Sequence, residues 1–190
     1  MAIAIAMGFA VGLYAFFFAG LDAASTHESQ AKAQSGLRGT LELFSRDVRQ
    51  AVSPDDGING GIMSLTSTSM VMHVDPNRDP AATFPKPLRV TYQLVGNQLV
   101  RRVQQPVGAA PPYSYTAPSP PVVLAEPVQN GAKPIFQAFT EQNVNLGSPV
   151  AQPRDIKTVR ITLIVGQKTG KSATTTELST DVTLRNTLRY

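Results

Sequence analysis

The chain has 190 residues, 42% of them hydrophobic and 16% charged, with a formal net charge of +4. That length suits one compact domain plus an added element and leaves no room for two ordinary domains with separate cores. It contains no cysteine, which excludes a disulfide framework and any thiolate metal site. A net positive charge can attract nucleic acid or an anionic membrane surface. Here only Arg101-Arg102 and the Lys168/Lys171 pair stand close together, and neither is interleaved with aromatics as a groove for single strands would be. DNA is therefore only a minor expectation.

From Met1 to Leu21 the sequence MAIAIAMGFAVGLYAFFFAGL holds no charge and no proline. As a helix it would span about 30 Å, the thickness of a bilayer hydrocarbon core. A cleaved signal peptide would need a basic start, a shorter apolar stretch and a small-residue cleavage site. No Lys or Arg precedes the run, and Asp22-Ala23-Ala24 is a poor site. The expectation is a retained single-pass transmembrane helix over 1–24, with Ile3, Ile5, Phe9, Val11, Leu13, Phe16, Phe17, Phe18 and Leu21 as its apolar surface.

Helical character continues past the apolar run. No proline occurs between Asp22 and Ala51, and Leu37, Leu41, Phe44, Val48 and Ala51 recur at three- and four-residue spacing, which makes one apolar stripe on a polar helix. Residues 25–53 thus read as an amphipathic continuation, with Leu37, Leu41, Phe44 and Val48 docking on a domain. Pro54-Asp55-Asp56-Gly57 marks its stop, and Gly36 and Gly39 are places where the rod could bend.

Residues 54–190 read as an antiparallel β domain. Met70, Met72 and Val74 alternate with Val71 and His73, and Leu88, Val90, Tyr92 and Leu94 alternate with Arg89, Thr91 and Gln93, the pattern of a sheet with one buried face. Gly96-Asn97 between two such runs is a hairpin signal. Seven prolines between Pro106 and Pro127 predict an irregular surface loop over 106–127; Pro118-Ser119-Pro120-Pro121 within it fits the minimal PxxP pattern but reads as loop composition. A short strand is expected over Ile135–Phe139. Two long strands follow, Thr158–Val165 and Glu177–Leu184, joined by a Gly/Lys/Thr loop. The predicted fold is α+β, a long N-terminal helix packed on one antiparallel sheet.

That order of elements resembles the type IV pilin superfamily. Leu37-Arg38 through Leu43, Arg46-Asp47-Val48-Arg49-Gln50-Ala51, the Tyr92-Gln93-Leu94 to Leu99-Val100-Arg101-Arg102 hairpin, and Leu178-Ser179-Thr180-Asp181-Val182-Thr183-Leu184-Arg185-Asn186 are similar to a minor pilin or pseudopilin, of the PilW-like or type II secretion pseudopilin J-like kind. The family's basic leader ending in Gly, and its Phe-Thr-Leu-x-Glu start, are lacking here. The docking role of that glutamate therefore falls on no residue of this sequence. The resemblance implies a structural subunit of a type IV pilus or type II secretion filament and no enzymatic activity. It implies a single pass in the bacterial inner membrane before assembly, an extracytoplasmic β domain, and a filament afterwards. Its implied partners are other pilin or pseudopilin subunits, met through the N-terminal helix, and the inner-membrane assembly platform.

Other motifs fit their chemistry poorly. Gly166-Gln167-Lys168-Thr169-Gly170-Lys171-Ser172 is one residue short of a phosphate-binding loop, and a Thr-rich strand pattern follows it instead of a helix. Asp75, Asn77 and Asp79 place oxygen ligands at alternate positions, as calcium loops do, but Pro80 replaces the turn glycine and Lys86 the bidentate acid. They are weak metal candidates, as is Asp55-Asp56-Gly57-Ile58-Asn59-Gly60. His27, just past the apolar run, and His73, in a strand, are the two histidines of the sequence, and no paired-histidine metal site is expected from them. No Gly-x-Ser-x-Gly elbow or cysteine nucleophile offers a start for catalysis. No cofactor and no small-molecule substrate is expected, with calcium the one ligand retained. A second reading is a membrane-tethered extracytoplasmic binding or adhesion module that does not polymerise.

Overall fold

The computed structural model describes residues 2–54, 61–76, 86–169 and 172–184. The proline-free run rich in Ala, Leu, Glu and Arg forms one continuous helix, α1 (Ala2–Arg49), which passes through both Gly36 and Gly39. It ends four residues earlier than 53. Beyond Arg49 the chain turns extended, and Ala51 bridges Val74 in antiparallel fashion.

The β domain is built from two sheets and a ribbon, where a single sheet was expected. The first sheet contains β1 (Ile62–Leu65), β2 (Ser69–Val74), β3 (Leu88–Val95), β4 (Gln98–Gln104) and β7 (Val122–Ala125), side by side in that order. The second has the order β10 (Ser172–Thr183), β9 (Thr158–Thr169), β8 (Phe136–Phe139). A small ribbon pairs β5 (Pro106–Val107) with β6 (Ser114–Tyr115). All pairings are antiparallel.

The sheets separate where the chain leaves β7. The crossing segment gives its backbone donors to both: Val128 N–H bonds the Asn97 carbonyl at 2.7 Å and Gln129 N–H the Ile164 carbonyl at 2.7 Å. Asn130 is buried and reinforces this edge. Its amide donates to the Thr162 carbonyl at 2.8 Å, and its oxygen accepts from Ile164 N–H at 2.9 Å.

The β3–β4 hairpin has the two-residue loop that Gly96-Asn97 signals, with Val95 opposite Gln98. Gly96 takes φ +61°, a conformation that glycine enters without a Cβ penalty. The Pro-rich segment differs from its expectation, because β7 lies inside it and pairs Val123 with Val100 and Val122 with Arg101. Pro121 and Pro127 flank this edge strand without interrupting its ladder, the one setting a sheet tolerates. The expected loop at Gly166 is also strand: Gly166 pairs with Thr175 and Thr169 with Ser172. Side-chain alternation fades there while the backbone ladder continues. Gly170 and Lys171 lie outside the described residues. β1 carries no alternating signal in the sequence, because its burial runs in–out–out–in across a register irregularity between Ile62 and Ser64, which hides the period of two.

The core lies between the sheets and under the second half of α1. Phe44, Val48, Met70, Met72, Val90, Tyr92, Leu99, Phe136, Ile161 and Leu163 are among its fully enclosed members. Helix α1 touches β9 and β10 of one sheet and β2 and β7 of the other, so a single helix face closes both.

Candidate functional site

Two regions of α1 differ in what covers them. In its second half, Leu37, Phe44 and Val48 are buried and Leu41 is half-buried against the core. The Phe44 ring meets Tyr92 of β3 edge-on at 5.4 Å and stacks on Phe136 of β8 at 5.9 Å. One helix side chain thus bridges the two sheets, and offset or edge-to-face aromatic pairs add to the area they bury.

The same face carries two buried polar residues, Thr40 and Asp47, and each has a partner as burial demands. The Thr40 hydroxyl lies 2.7 Å from the Leu124 carbonyl of β7 and 3.2 Å from the Gly36 carbonyl. Asp47 Oδ2 accepts from the Tyr92 hydroxyl at 2.8 Å, from Arg101 Nε at 2.9 Å and from the Arg101 Nη2 group at 2.8 Å. Tyr92 and Arg101 face each other across the β3–β4 ladder. Burial, then the Asp47 charge, pushes the Tyr92 hydroxyl well above the ordinary phenol range, so it keeps its proton and donates at physiological pH. Charge-assisted bonds to one carboxylate oxygen tie the helix to the hairpin. Arg101, which the sequence offered as half of a basic pair, is committed to this tie.

The described side chains in the first half of α1 have no such cover. Leu13, Tyr14, Phe17, Phe18 and Leu21 are exposed, and Phe16 is 81% exposed. Tyr14 and Phe18, one helical turn apart, touch with ring centroids at 4.3 Å, and Phe17 and Phe18 lie edge to face at 6.1 Å. The side chains of Ile3, Ile5, Phe9 and Val11 lie outside the described set. Among the described residues, no helix is long and apolar enough to cross a membrane.

Of the metal candidates Asp75, Asn77 and Asp79, only Asp75 falls among the described residues. Asp75 follows β2, its N–H bonded to the Gln50 carbonyl at 3.1 Å, while Asn77, Asp79 and the whole of 55–60 fall outside the described residues. Among the described residues no cluster of three His, Cys, Asp or Glu could hold a metal ion. His27 is exposed, and His73 is buried in β2.

The exposed aromatic run and the Leu37–Val48 docking face were both legible as patterns. The Asp47–Tyr92–Arg101 tie shows in neither pattern, although it has a signal: an acid three residues after Phe44 falls on the apolar stripe and must find a partner there.

No protein-family model matches the chain, and none of the curated proteins matches it. Among solved structures it is similar to a chain of the GspK-GspI-GspJ complex of the type 2 secretion system of enterotoxigenic Escherichia coli. That similarity has 16% sequence identity and a TM-score of 0.48, covering 81% of this chain and 98% of the other.

Proposed function

We propose that the protein is a structural subunit of a type IV pilin-like filament, a minor pilin or type II secretion pseudopilin. In this reading the first part of α1 holds it in the bacterial inner membrane before assembly, and the β domain is extracytoplasmic. The observation that carries the reading is the unbroken helix Ala2–Arg49, which seals one face, with Leu37, Phe44 and Val48, into the core while Leu13, Tyr14, Phe16, Phe17, Phe18 and Leu21 stay exposed. Monomers in water rarely leave so continuous an apolar surface uncovered. Lipid covers it before assembly; afterwards the equivalent helices of neighbouring subunits do so, since an apolar helix leaving a bilayer needs apolar partners. The sequence upstream, from Met1 to Gly12, is likewise uncharged and apolar. The partners are accordingly other pilin or pseudopilin subunits, with the assembly platform acting on the helix in the membrane.

A vesicle flotation assay on the full chain tests the membrane step. Phe16→Asp places a charge where the helix crosses the hydrocarbon, which costs about 3 kcal/mol and lowers the bound-to-free ratio at least about 100-fold. Phe16 lies outside the core, so the β-domain circular dichroism is expected to stay unchanged. A variant that floats with vesicles as the parent does would show that this stretch is not the membrane-binding element.

A further inference from the structure

A cavity of about 630 Å³ opens where the β5–β6 ribbon and the turn Pro153–Asp155 meet the first sheet. Small-ligand sites measure roughly 300–1,000 Å³ and combine apolar walls with a few convergent polar groups. Met63, Pro111, Pro112 and Pro153 supply apolar wall here. The polar wall carries two cations, Arg89 and Arg154, beside His73, and among the described residues no aspartate or glutamate lines the cavity.

His73 and Arg89 are cross-strand partners on β2 and β3, and the Tyr115 ring covers both. It stacks on His73 at 5.5 Å and receives the Arg89 guanidinium at 4.2 Å from its centroid. Three donor atoms of the lining, Arg89 Nε and the hydroxyls of Tyr113 and Tyr115, are withdrawn from solvent and have no hydrogen-bond partner among the described residues. Burial holds both tyrosines above the usual phenol range, with Arg89 partly opposing the shift at Tyr115. Both hydroxyls therefore remain donors near neutral pH. Arg154 is less available, since its Nε lies 3.9 Å from Asp155 and its Nη2 3.3 Å from the Gln152 side-chain oxygen. Donors that are buried without acceptors are costly and call for a ligand or water that accepts. A carboxylate is an acceptor-only group able to engage several donors at once.

We propose that this cavity binds a small molecule with a flat apolar body and a single carboxylate, the carboxylate seated on Arg89 and the Tyr113 and Tyr115 hydroxyls and the body against Met63 and the prolines. The site is independent of the filament reading, because it uses only the β domain.

The test is titration of the full chain, held in detergent and labelled at its methionine methyl groups, with benzoate and with its neutral isostere benzamide. Met63 lines the cavity, while Met70 and Met72 are sealed in the core and serve as internal controls. Benzoate is expected to shift the Met63 resonance saturably in the roughly millimolar range or tighter, with Met70 and Met72 unmoved. Benzamide is expected to bind at least about tenfold more weakly, because it lacks the charge-assisted bonds. Arg89→Gln should weaken benzoate to a similar degree. Tyr115→Phe, which keeps the stacked ring and removes only the hydroxyl, should weaken it several-fold and guards against a folding defect in the arginine variant. The proposal is overturned by the absence of a saturable Met63 shift, by equal binding of benzamide and benzoate, or by undiminished binding in both variants.

Discussion

Phe44→Ala is expected to lower the unfolding free energy by about 3–5 kcal/mol, the range for truncating a fully enclosed phenylalanine. The site has little freedom to collapse. Phe44 is wedged between Tyr92 of one sheet and Phe136 of the other, and each belongs to a separate ladder that fixes its position. Against a total stability of about 5–15 kcal/mol for a domain, this loss would move the urea midpoint strongly at constant m-value. Phe44→Leu, which conserves most of the volume, should cost no more than about 1.5 kcal/mol. A Phe44→Ala cost below about 1 kcal/mol would mean that the helix does not join the two sheets as described.

The second large effect is expected at Arg101. Asp47 has a side chain only 3% exposed, against 18% for Arg101, so the two ends of the ion pair are not equivalent when one is removed. Arg101→Leu strands the carboxylate under the helix with the Tyr92 hydroxyl as its one remaining partner among the described residues, and the cost is expected to be about 3–5 kcal/mol. Asp47→Leu should cost less, because the half-buried guanidinium can turn toward water. The double variant should recover much of the single losses, since a buried pair replaced by apolar groups of similar size is often close to neutral. Urea unfolding of the four proteins in a double-mutant cycle gives the coupling directly. Additive losses would contradict the tie seen between α1 and the β3–β4 hairpin.

The hairpin that carries Tyr92 and Arg101 was readable because alternation and a two-residue Gly-Asn turn determine each other: once Val95 opposes Gln98, Tyr92 must oppose Arg101. The helix was readable from composition, and the docking stripe from the spacing of Leu37, Phe44 and Val48. The division into two sheets was not, because strand periodicity says which residues alternate and is silent on which strands are neighbours. β7 was hidden by its flanking prolines, which disrupt a central strand but not an edge. β1 was hidden by its irregular burial. The partner of Asp47 lay one step beyond the pattern: it required combining the helix face with the hairpin register. The cavity beside Tyr115 was out of reach altogether, since Met63, His73, Arg89, Tyr113 and Arg154 come from five separate stretches of chain that only the fold brings together.

The central claim is that the exposed half of α1 packs against other subunits once it leaves the lipid. With no native cysteine in the chain, a single introduced thiol reports on one place. Phe17→Cys, expressed in the native cells and treated with a short bismaleimide linker, tests the claim most directly, with Glu141→Cys on the exposed β domain as the comparison. Covalent adducts are expected at Phe17→Cys with masses that correspond to this chain joined to a second filament subunit, abundant where filaments assemble and absent where assembly is blocked. A thiol at position 17 that remains in the membrane fraction as an uncrosslinked monomer under assembling conditions would contradict it, and would make the protein a tethered extracytoplasmic module that does not polymerise.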